Sequence, residues 1–319
     1  MSEQRRYAVL IAAHDAAGYI GETLASVASQ SPAPSEVVVV DDASTDGTGD
    51  VARRHGARVI RNERSLGPGG ARNLAFAATD APVVAFIDAD DKWEPGHIAS
   101  CLPLLDDAAV GVAFSATRMF GRVNVVLTVD IPIGHAFDAR SVLLSRNIVP
   151  QSGVLVRASE FTAVGGYHAD FLLSEDYDLW LRLAGRTRFA YTGLTTCLRR
   201  IHDGQLSLER RRDLVSSAWN ARMAAVSRWR ALPDWSDALF TRQLVQAAED
   251  DLGAVLWTGS SSELTSFLGV LDTIPLGDDG TRLSDRLGLG RSTLPWRRAL
   301  LHARCRGRAL ARSILFGNA

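Results

Sequence analysis

Short apolar runs alternate with helical patterns along the first ninety residues. Four of these runs predict buried strands, at 7–12, 36–41, 57–61 and 82–88. Three intervening segments carry apolar residues at helical spacing and predict helices, near 20–28, 48–56 and 71–78. Strands that alternate with helices predict right-handed βαβ crossovers and a mainly parallel sheet, in which ligands lie beyond the carboxyl ends of the strands.

The pattern changes after Pro95. It predicts a helix near 96–105, antiparallel strands at 110–120 and 123–129, a short helix around 139–145, a strand at 152–157 and a Gly-Gly turn at 165–166. From about residue 206 the chain turns helical and Arg-rich, with the clearest helical patterns at 213–232 and 237–256. We therefore place a domain boundary near residue 205.

Composition narrows the function classes. The 319 residues include 35 Lys and Arg against 36 Asp and Glu, and a formal net charge of −1 supplies no global field toward nucleic acid. Three well-separated cysteines argue against a zinc site or a disulfide framework and favour a reducing cytoplasm. The chain shows neither a signal-peptide core nor an apolar stretch near the roughly 20 residues of a membrane span. We expect a cytoplasmic protein that touches at most the inner face of a membrane.

Three carboxylates crowd the end of the fourth predicted strand, in the stretch "FIDADD". If extended geometry persists, Asp88 and Asp90 point to the same side, where they can share Mg²⁺ or Mn²⁺. A helix N-cap is the structural alternative, although one Asp would suffice for it.

Two other polar segments also lie next to predicted strands and helices. "VVVVDDASTDGT" ends the second strand with Asp42, whose carboxylate can accept from a nucleobase N–H, or can simply sit at the start of a helix. "SLGPGGARNLA" allows close backbone approach and offers Arg72 to a diphosphate, unless it is only a flexible loop.

The segments "LLSEDYDLWLRLA" and "LRRIHDGQLS" are further candidates. The first predicts a helix capped by Ser174, with Glu175 and Asp176 in its first turn, where acidic residues either stabilise the helix dipole or supply a base. The second carries His202 after a strand, as a surface residue or as a ligand.

Taken in order, these segments resemble the family-2 glycosyltransferases with the GT-A fold, over residues 6 to about 207. The resemblance rests on "VLIAAHDAAGYIGETLASVASQ", "VVVVDDASTDGT", "GPGGARNLA", "FIDADD", "GGYHADFLLSEDYDLWLRLA" and "RIHDGQLS". It implies an α/β fold of the GT-A type, with a nucleotide-binding mixed sheet flanked by helices. The catalytic domain would be residues 1–205. The C-terminal helical extension, 206–319, would lie on the acceptor side or contact an oligomer partner or a membrane surface.

The resemblance also implies roles for single residues. Nucleotide-sugar contacts are implied at Ala12, Asp15, Asp42, Arg72, Asp88 and Ala89, with Asp42 at the nucleobase and Asp88 by the ribose. Metal contacts are implied at Asp90 and His202, the latter alternatively touching the diphosphate. Asp176 resembles the catalytic base, and Glu175 an acceptor-binding or supporting group.

The chain departs from the family pattern at two places. The opening loop reads Ala12-Ala13-His14-Asp15 instead of a Pro- or Thr-containing tract followed by Tyr-Asn, which weakens the base contacts implied there. Near Trp229 the sequence "AVSRWR" lacks the Q-x-x-R-W motif of processive members, so we expect one sugar per encounter.

The implied reaction is transfer of one sugar, with inversion, from a nucleotide-diphosphate sugar to an acceptor hydroxyl, assisted by Mg²⁺ or Mn²⁺. UDP is the favoured nucleotide, with dTDP and GDP as alternatives. The acceptor would be a glycan, a lipid-linked intermediate or a small metabolite. A catalytically silent nucleotide-sugar binding protein is the main alternative. A nucleotidyltransferase would need a Gly-rich, Arg-containing loop where the chain reads "AAHDAAGY", and an oxidoreductase would need G-x-G-x-x-G there.

The last basic segment, "LPWRRALLHARCRGRALARSILF", has apolar residues at roughly helical spacing beside several arginines. Such a helix either lies on an anionic membrane surface, which would suit a lipid-linked acceptor, or packs on its own domain with a solvated Arg face.

Overall fold

The computed structural model describes residues 6–169, 171, 173–202 and 211–258, together with positions 269, 271, 274, 282 and 283. The chain forms two compact units. One contains the described residues up to 139 and from 148 to 202, and the other contains residues 140–147 and the described residues from 211 onward.

The first unit is built on a mixed sheet. Its described residues contribute ten strands: β1 (Tyr7–Ala13), β2 (Glu36–Asp42), β3 (Arg58–Asn62), β4 (Val83–Phe86), β5 (Lys92–Trp93), β6 (Val110–Gly121), β7 (Val125–Leu127), β8 (Ala136–Phe137), β9 (Val154–Arg157) and β10 (Arg188–Ile201). They are ordered β3-β2-β1-β4-β9-β6-β10-β5, with β7 beside β6 and β8 beside β10.

The two halves of the sheet pair differently. Strands β3, β2, β1 and β4 are all parallel, as the alternation of strands and helices predicts. Beyond them, β9 runs antiparallel to both β4 and β6, while β6 and β10 are parallel. β1 is almost completely buried because a parallel sheet is covered on both faces. The predicted mixed α/β sheet is confirmed.

Nine α-helices have ranges within the described residues: α1 (Ile20–Ala28), α2 (Thr48–Arg54), α3 (Gly67–Ala77), α4 (His97–Cys101), α5 (Arg140–Ser145), α6 (Ala158–Ala163), α7 (Glu175–Ala184), α8 (Arg211–Trp229) and α9 (Asp237–Thr258). Helix α3 begins four residues before the predicted start at 71. Its first turn contains Pro68, which is favoured there because a helix leaves its first N–H groups unpaired. The glycine-rich stretch is therefore helical, and Arg72 lies on the second turn.

The described residues of the second unit include the helices α5, α8 and α9. Arg140 of α5 forms an ion pair with Asp234, with Nη1 2.8 Å from Oδ1, and Arg222 of α8 pairs with Asp251 of α9 at 2.9 Å. The short helix α5 thus belongs with the C-terminal helices, which its place in the sequence did not indicate. The domain boundary near residue 205 stays a prediction.

The basic C-terminal segment, 294–316, lies outside the described residues. Within the part of the chain that the structure describes, no helix combines the length and the apolar character that crossing a membrane requires.

The predicted Gly-Gly turn before α7 yields a stability prediction. Gly165 and Gly166 both have positive φ angles, 78° and 69°. A Cβ at Gly165 would meet no atom within 4 Å, whereas one at Gly166 would lie 2.5 Å from Asn73 Oδ1. That oxygen cannot move freely, because it accepts from the backbone N–H of Tyr167.

We therefore expect Gly165→Ala to cost about 1–2 kcal/mol of backbone strain. Gly166→Ala should cost about 3 kcal/mol, since it adds the loss of the Asn73 contacts. Chemical denaturation of both variants measures the difference. Equal losses at the two positions would show that Asn73 does not hold this turn.

Candidate functional site

The ends of β1 and β2 lie side by side, since Ala13 pairs in register with Asp41. The loops that follow are tied together by hydrogen bonds. His14 Nδ1 lies 2.6 Å from the carbonyl oxygen of Asp42, and Asp15 Oδ1 accepts from the backbone N–H of Thr45 at 2.6 Å. Of the candidate nucleotide-sugar contacts in this region, Ala12 is half-buried and Asp15 is exposed, with a φ of 46°.

Asp42 is only 3% exposed, and its carboxylate is surrounded by donors. It accepts from the Asn62 amide at 2.9 Å, from the Ser65 hydroxyl at 2.7 Å and from the backbone N–H groups of Leu66 and Gly67. Asp42 therefore holds the loop before α3 against the end of β2. Its contact with a nucleobase stays a prediction.

The acidic stretch after β4 does not remain extended. The strand ends at Phe86, and the backbone N–H of Asp91 donates to the carbonyl of Asp88 at 3.2 Å, which closes a turn. The same-side orientation expected for Asp88 and Asp90 therefore does not follow from strand alternation. Ala89, between them, is 6% exposed, and its carbonyl accepts from the Thr23 hydroxyl at 2.8 Å.

Arg72 joins two of the sequence motifs. Its Nη2 donates to Asp88 Oδ1 at 2.6 Å, and its Nη1 donates to Glu175 Oε1 at 2.8 Å. The Arg72 side chain is 5% exposed. Burial by itself would lower the pKa of Arg72, but the charges of Asp88 and Glu175 outweigh it and raise that pKa above its usual value. The contacts of Arg72 with a diphosphate and of Asp88 with a ribose stay predictions.

The two predicted metal ligands do meet. His202 Nε2 lies 2.9 Å from Asp90 Oδ2, although the residues are 112 positions apart. Arg200 Nε donates to the Asp90 carbonyl at 2.9 Å and so fixes the backbone of the same turn. The His202 ring packs on Tyr19, with 4.6 Å between centroids. Among the described residues, no group of three or more His, Cys, Asp or Glu side chains is arranged to hold a metal ion.

Asp91 is a buried member of the acidic stretch to which sequence reasoning assigned no role. It is 3% exposed and accepts from the Ser152 hydroxyl and from the backbone N–H of Arg200 at 2.8 Å. Burial raises the pKa of Asp91 well above its ordinary value, and the charges of Asp90 and Asp88 add to the rise. Its place, as the third carboxylate of "DADD", is the signal that could have marked it as the buried residue that supports the other two.

Asp176 lies in the first turn of α7, and its Oδ1 accepts from the backbone N–H of Tyr177 at 2.7 Å. The predicted cap residue, Ser174, occupies the N-cap position with a φ of 57°, but its hydroxyl makes no capping bond. Asp176 and Glu175 are both partly buried. The structure brings Glu175 to Asp88 through Arg72, while the role of Asp176 as a base stays a prediction.

Comparison with known proteins identifies a matching sequence family and similar proteins. The sequence model of the family described as "Glycosyl transferase family 2" matches residues 8–147. The chain is 32% identical over 197 residues to TuaG of Bacillus subtilis (strain 168), a protein named for teichuronic acid biosynthesis, covering 60% of this chain and 76% of TuaG. It is 27% identical over 211 residues to WfaP of Escherichia coli, named as a UDP-Glc:alpha-D-GlcNAc-diphosphoundecaprenol beta-1,3-glucosyltransferase, covering 65% of this chain and 82% of WfaP.

Solved structures show the same fold. S. aureus TarS, residues 1-349, in complex with UDP-GlcNAc superposes with a TM-score of 0.68 at 17% identity, covering 84% of this chain and 80% of that one. The mannosyltransferase PcManGT from Pyrobaculum calidifontis, in complex with GDP-Man and Mn²⁺, superposes with a TM-score of 0.54 at 19% identity, covering 97% of this chain and 87% of that one. These likenesses confirm the predicted GT-A type fold.

The support beneath the acidic turn can be tested at Ser152, which is 3% exposed. Its hydroxyl donates to Asp91 and accepts from the backbone N–H of Asp88 at 3.0 Å. Because Ser152→Ala leaves both buried groups without this partner, we expect a loss of about 1–3 kcal/mol in the free energy of unfolding. Denaturant unfolding in metal-free buffer measures it.

Ser29→Ala is the matched control, since the Ser29 hydroxyl makes only an exposed bond to Ser26. It should change stability by less than about 0.5 kcal/mol. If both serine variants behave alike, the turn does not depend on Ser152.

Proposed function

The chain belongs to glycosyl transferase family 2, and we propose that it transfers one sugar per encounter from a nucleotide-diphosphate sugar to an acceptor hydroxyl. The observation that carries this proposal is the pairing of Asp90 with His202 at 2.9 Å, beside the turn that also presents Asp88. Carboxylate and imidazole groups are suitable ligands for the divalent cation of a nucleotide diphosphate.

The nucleotide sugar would bind along the carboxyl ends of β1, β2 and β4. The residues proposed to contact it are Ala12, Asp15, Asp42, Asp88 and Ala89, with Asp42 at the base and Asp88 by the ribose. We propose UDP as the nucleotide, because WfaP is named for UDP-Glc and TarS is bound to UDP-GlcNAc. GDP is the alternative nucleotide, because PcManGT is bound to GDP-Man.

The Asp90–His202 pair fits Mg²⁺ or Mn²⁺. Asp90 Oδ2 and His202 Nε2, which lie 2.9 Å apart, would be the protein groups that hold the ion. Such ions typically take few protein ligands, with substrate phosphates and water completing the shell. A bound divalent ion supplies Lewis-acid stabilisation of charge on the departing diphosphate. Arg200, which holds the Asp90 carbonyl, would keep the carboxylate in place.

Asp176 is proposed as the base that takes the proton from the acceptor hydroxyl. The N-terminus of α7 favours its ionised form, which keeps it ready to accept a proton at neutral pH. A single base on the face opposite the leaving group gives inversion at the anomeric carbon. The carboxylate contributes a factor typical of general-base catalysis, about 10²- to 10⁴-fold.

The acceptor would be a glycan or a lipid-linked intermediate, because WfaP is named for a diphosphoundecaprenol-linked acceptor. We propose that residues 1–205 form the catalytic domain and that residues 206–319 face the acceptor. A lipid-linked acceptor would place the protein in the cytoplasm, at the inner face of the membrane.

A screen of nucleotide sugars by thermal shift, with and without Mn²⁺, tests donor binding. A ligand present at 100 times its Kd stabilises the protein by about 2.7 kcal/mol. We expect UDP-sugars to raise the Tm only when Mn²⁺ or Mg²⁺ is present, and Asp90→Ala to abolish most of that rise. The exposed variant Asp80→Ala is the control, because Asp80 and its partner Arg6 precede β4 and β1, at the amino ends of these parallel strands and away from the acidic turn. Undiminished donor binding and turnover by Asp90→Ala would exclude this cation site.

Asp176→Asn separates binding from chemistry. The amide keeps the size of the side chain but cannot accept the acceptor proton, so kcat should fall by about 10²- to 10⁴-fold while donor affinity stays within about threefold. Product formation and donor titration measure the two quantities, with Asp50→Asn on α2 as the control carboxylate. A chain that binds the donor but neither hydrolyses nor transfers it would be a silent binding protein.

A further inference from the structure

The side chain of Arg72 joins helix α3 to the acidic turn after β4 and to the start of α7. Building on the proposed function, we propose that Arg72 is a positioning residue. It sets the distance between the donor side of the site, at Asp88, and the acceptor side, at the first turn of α7. Glu175 is then its partner and not a proton acceptor.

The guanidinium suits this task because it is planar and presents several donors in a fixed fork. Nη2 is 2.6 Å from Asp88 Oδ1 and Nη1 is 2.8 Å from Glu175 Oε1, so each carboxylate takes a different nitrogen. The Asp88 and Glu175 side chains are 34% and 13% exposed. A lysine ammonium, as a single point, could not hold both in this geometry.

The charges weigh against a diphosphate contact by Arg72. One guanidinium and two carboxylates carry a net charge of 1 − 2 = −1, so a diphosphate would meet a group whose positive charge is already compensated. Both terminal nitrogens are engaged, and the side chain is 5% exposed. If Arg72 turned to reach a diphosphate, Asp88 and Glu175 would lose their cation. Leaving partly buried carboxylates unpaired in this way is costly.

The neighbours of Arg72 hold α3 close to the start of α7. Asn73 exchanges two hydrogen bonds with the backbone of Tyr167, both 2.8 Å long, and the Tyr167 ring lies 5.3 Å from the Arg72 guanidinium. A Cβ at Gly69 would lie 3.1 Å from Tyr167 Cβ and 3.4 Å from Glu175 Cγ. Helix α3 is thus in close contact with Tyr167 and Glu175, which places Arg72 where it can orient Glu175 and Asp88.

This arrangement gives different roles to Glu175 and Asp176, the two acidic residues at the start of α7. Glu175 is held by Arg72, while Asp176, the next residue, accepts from the backbone N–H of Tyr177. Alignment of Asp176 with the donor then depends indirectly on Arg72, through the neighbouring residue Glu175. Loss of Arg72 should affect turnover and leave donor affinity largely unchanged.

Hydrogen exchange of Arg72→Gln is the first test, in the full chain without any substrate. We expect faster amide exchange in two segments, residues 87–91 and 174–178, because both lose their shared partner. Arg182→Gln is the matched control. This variant removes the ion pair between Arg182 and Asp178 within α7, in which the Asp178 side chain is 2% exposed. It should speed amide exchange in α7 but not in residues 87–91.

Kinetics supply the second test. For Arg72→Gln we expect the Kd for UDP with Mn²⁺ to stay within about threefold while kcat falls about 10- to 100-fold. Glu175→Gln keeps an oxygen that accepts from Arg72, so its kcat should remain within about tenfold of the parent protein, whereas Glu175→Ala should lose about 10- to 100-fold. If Arg72→Gln fails to fold, Arg72→Lys is measured in its place.

The outcomes separate the two proposals. A large loss of UDP affinity in Arg72→Gln, with unchanged exchange in both segments, would make Arg72 a diphosphate ligand and overturn the positioning role. A Glu175→Gln variant as inactive as Asp176→Asn would make Glu175 a catalytic group. If the parent protein turns over no nucleotide sugar, the proposed function fails, yet the exchange experiment still decides whether Arg72 couples the two segments.

Discussion

The ion pairs of Arg72 with Asp88 and Glu175 connect carboxylates that lie 16 and 103 residues away in the chain. A guanidinium that is 5% exposed is costly to bury unless its charge is matched, and here two carboxylates match it. Glu175, whose side chain is 13% exposed, would in turn lose its cation without the arginine. Helix α3, the turn after β4 and the start of α7 are therefore held in one arrangement, and the candidate site is built around it.

Each carboxylate of the acidic stretch "DADD" has a different partner in the structure. Asp88 pairs with Arg72, Asp90 lies against His202, and Asp91 is buried where the Ser152 hydroxyl and a backbone N–H reach it. Three adjacent negative charges would otherwise repel one another at close range. The buried residue, Asp91, supports the turn, while the side chains of Asp88 and Asp90 are 34% and 23% exposed.

Family membership agrees with this division. The chain shares its fold with TarS, solved with UDP-GlcNAc, and with PcManGT, solved with GDP-Man and Mn²⁺. Loop residues set specificity in such sheets, because the strands fix only where the loops emerge. The scaffold is therefore shared with these proteins.

The sequence alone determined the alternation of strands and helices, the acidic strand ends and the order of the family's motifs. These are local properties, since apolar periodicity and turn residues are set by neighbours in the chain. It misplaced the start of α3, because a proline and three glycines resemble a loop although the first helical turn accepts them. The two residues that the sequence indicated as metal ligands, Asp90 and His202, do meet in the structure.

Only the tertiary structure decided which polar groups became partners. The Arg72–Glu175 and His202–Asp90 contacts depend on strand order and on how α3 and α7 pack on the sheet, and periodicity carries no such information. The same holds for the burial of Asp91 and for the packing of α5 with the C-terminal helices. Sequence marks the residues able to carry charge, but their pairing is set by contacts across a hundred residues of chain.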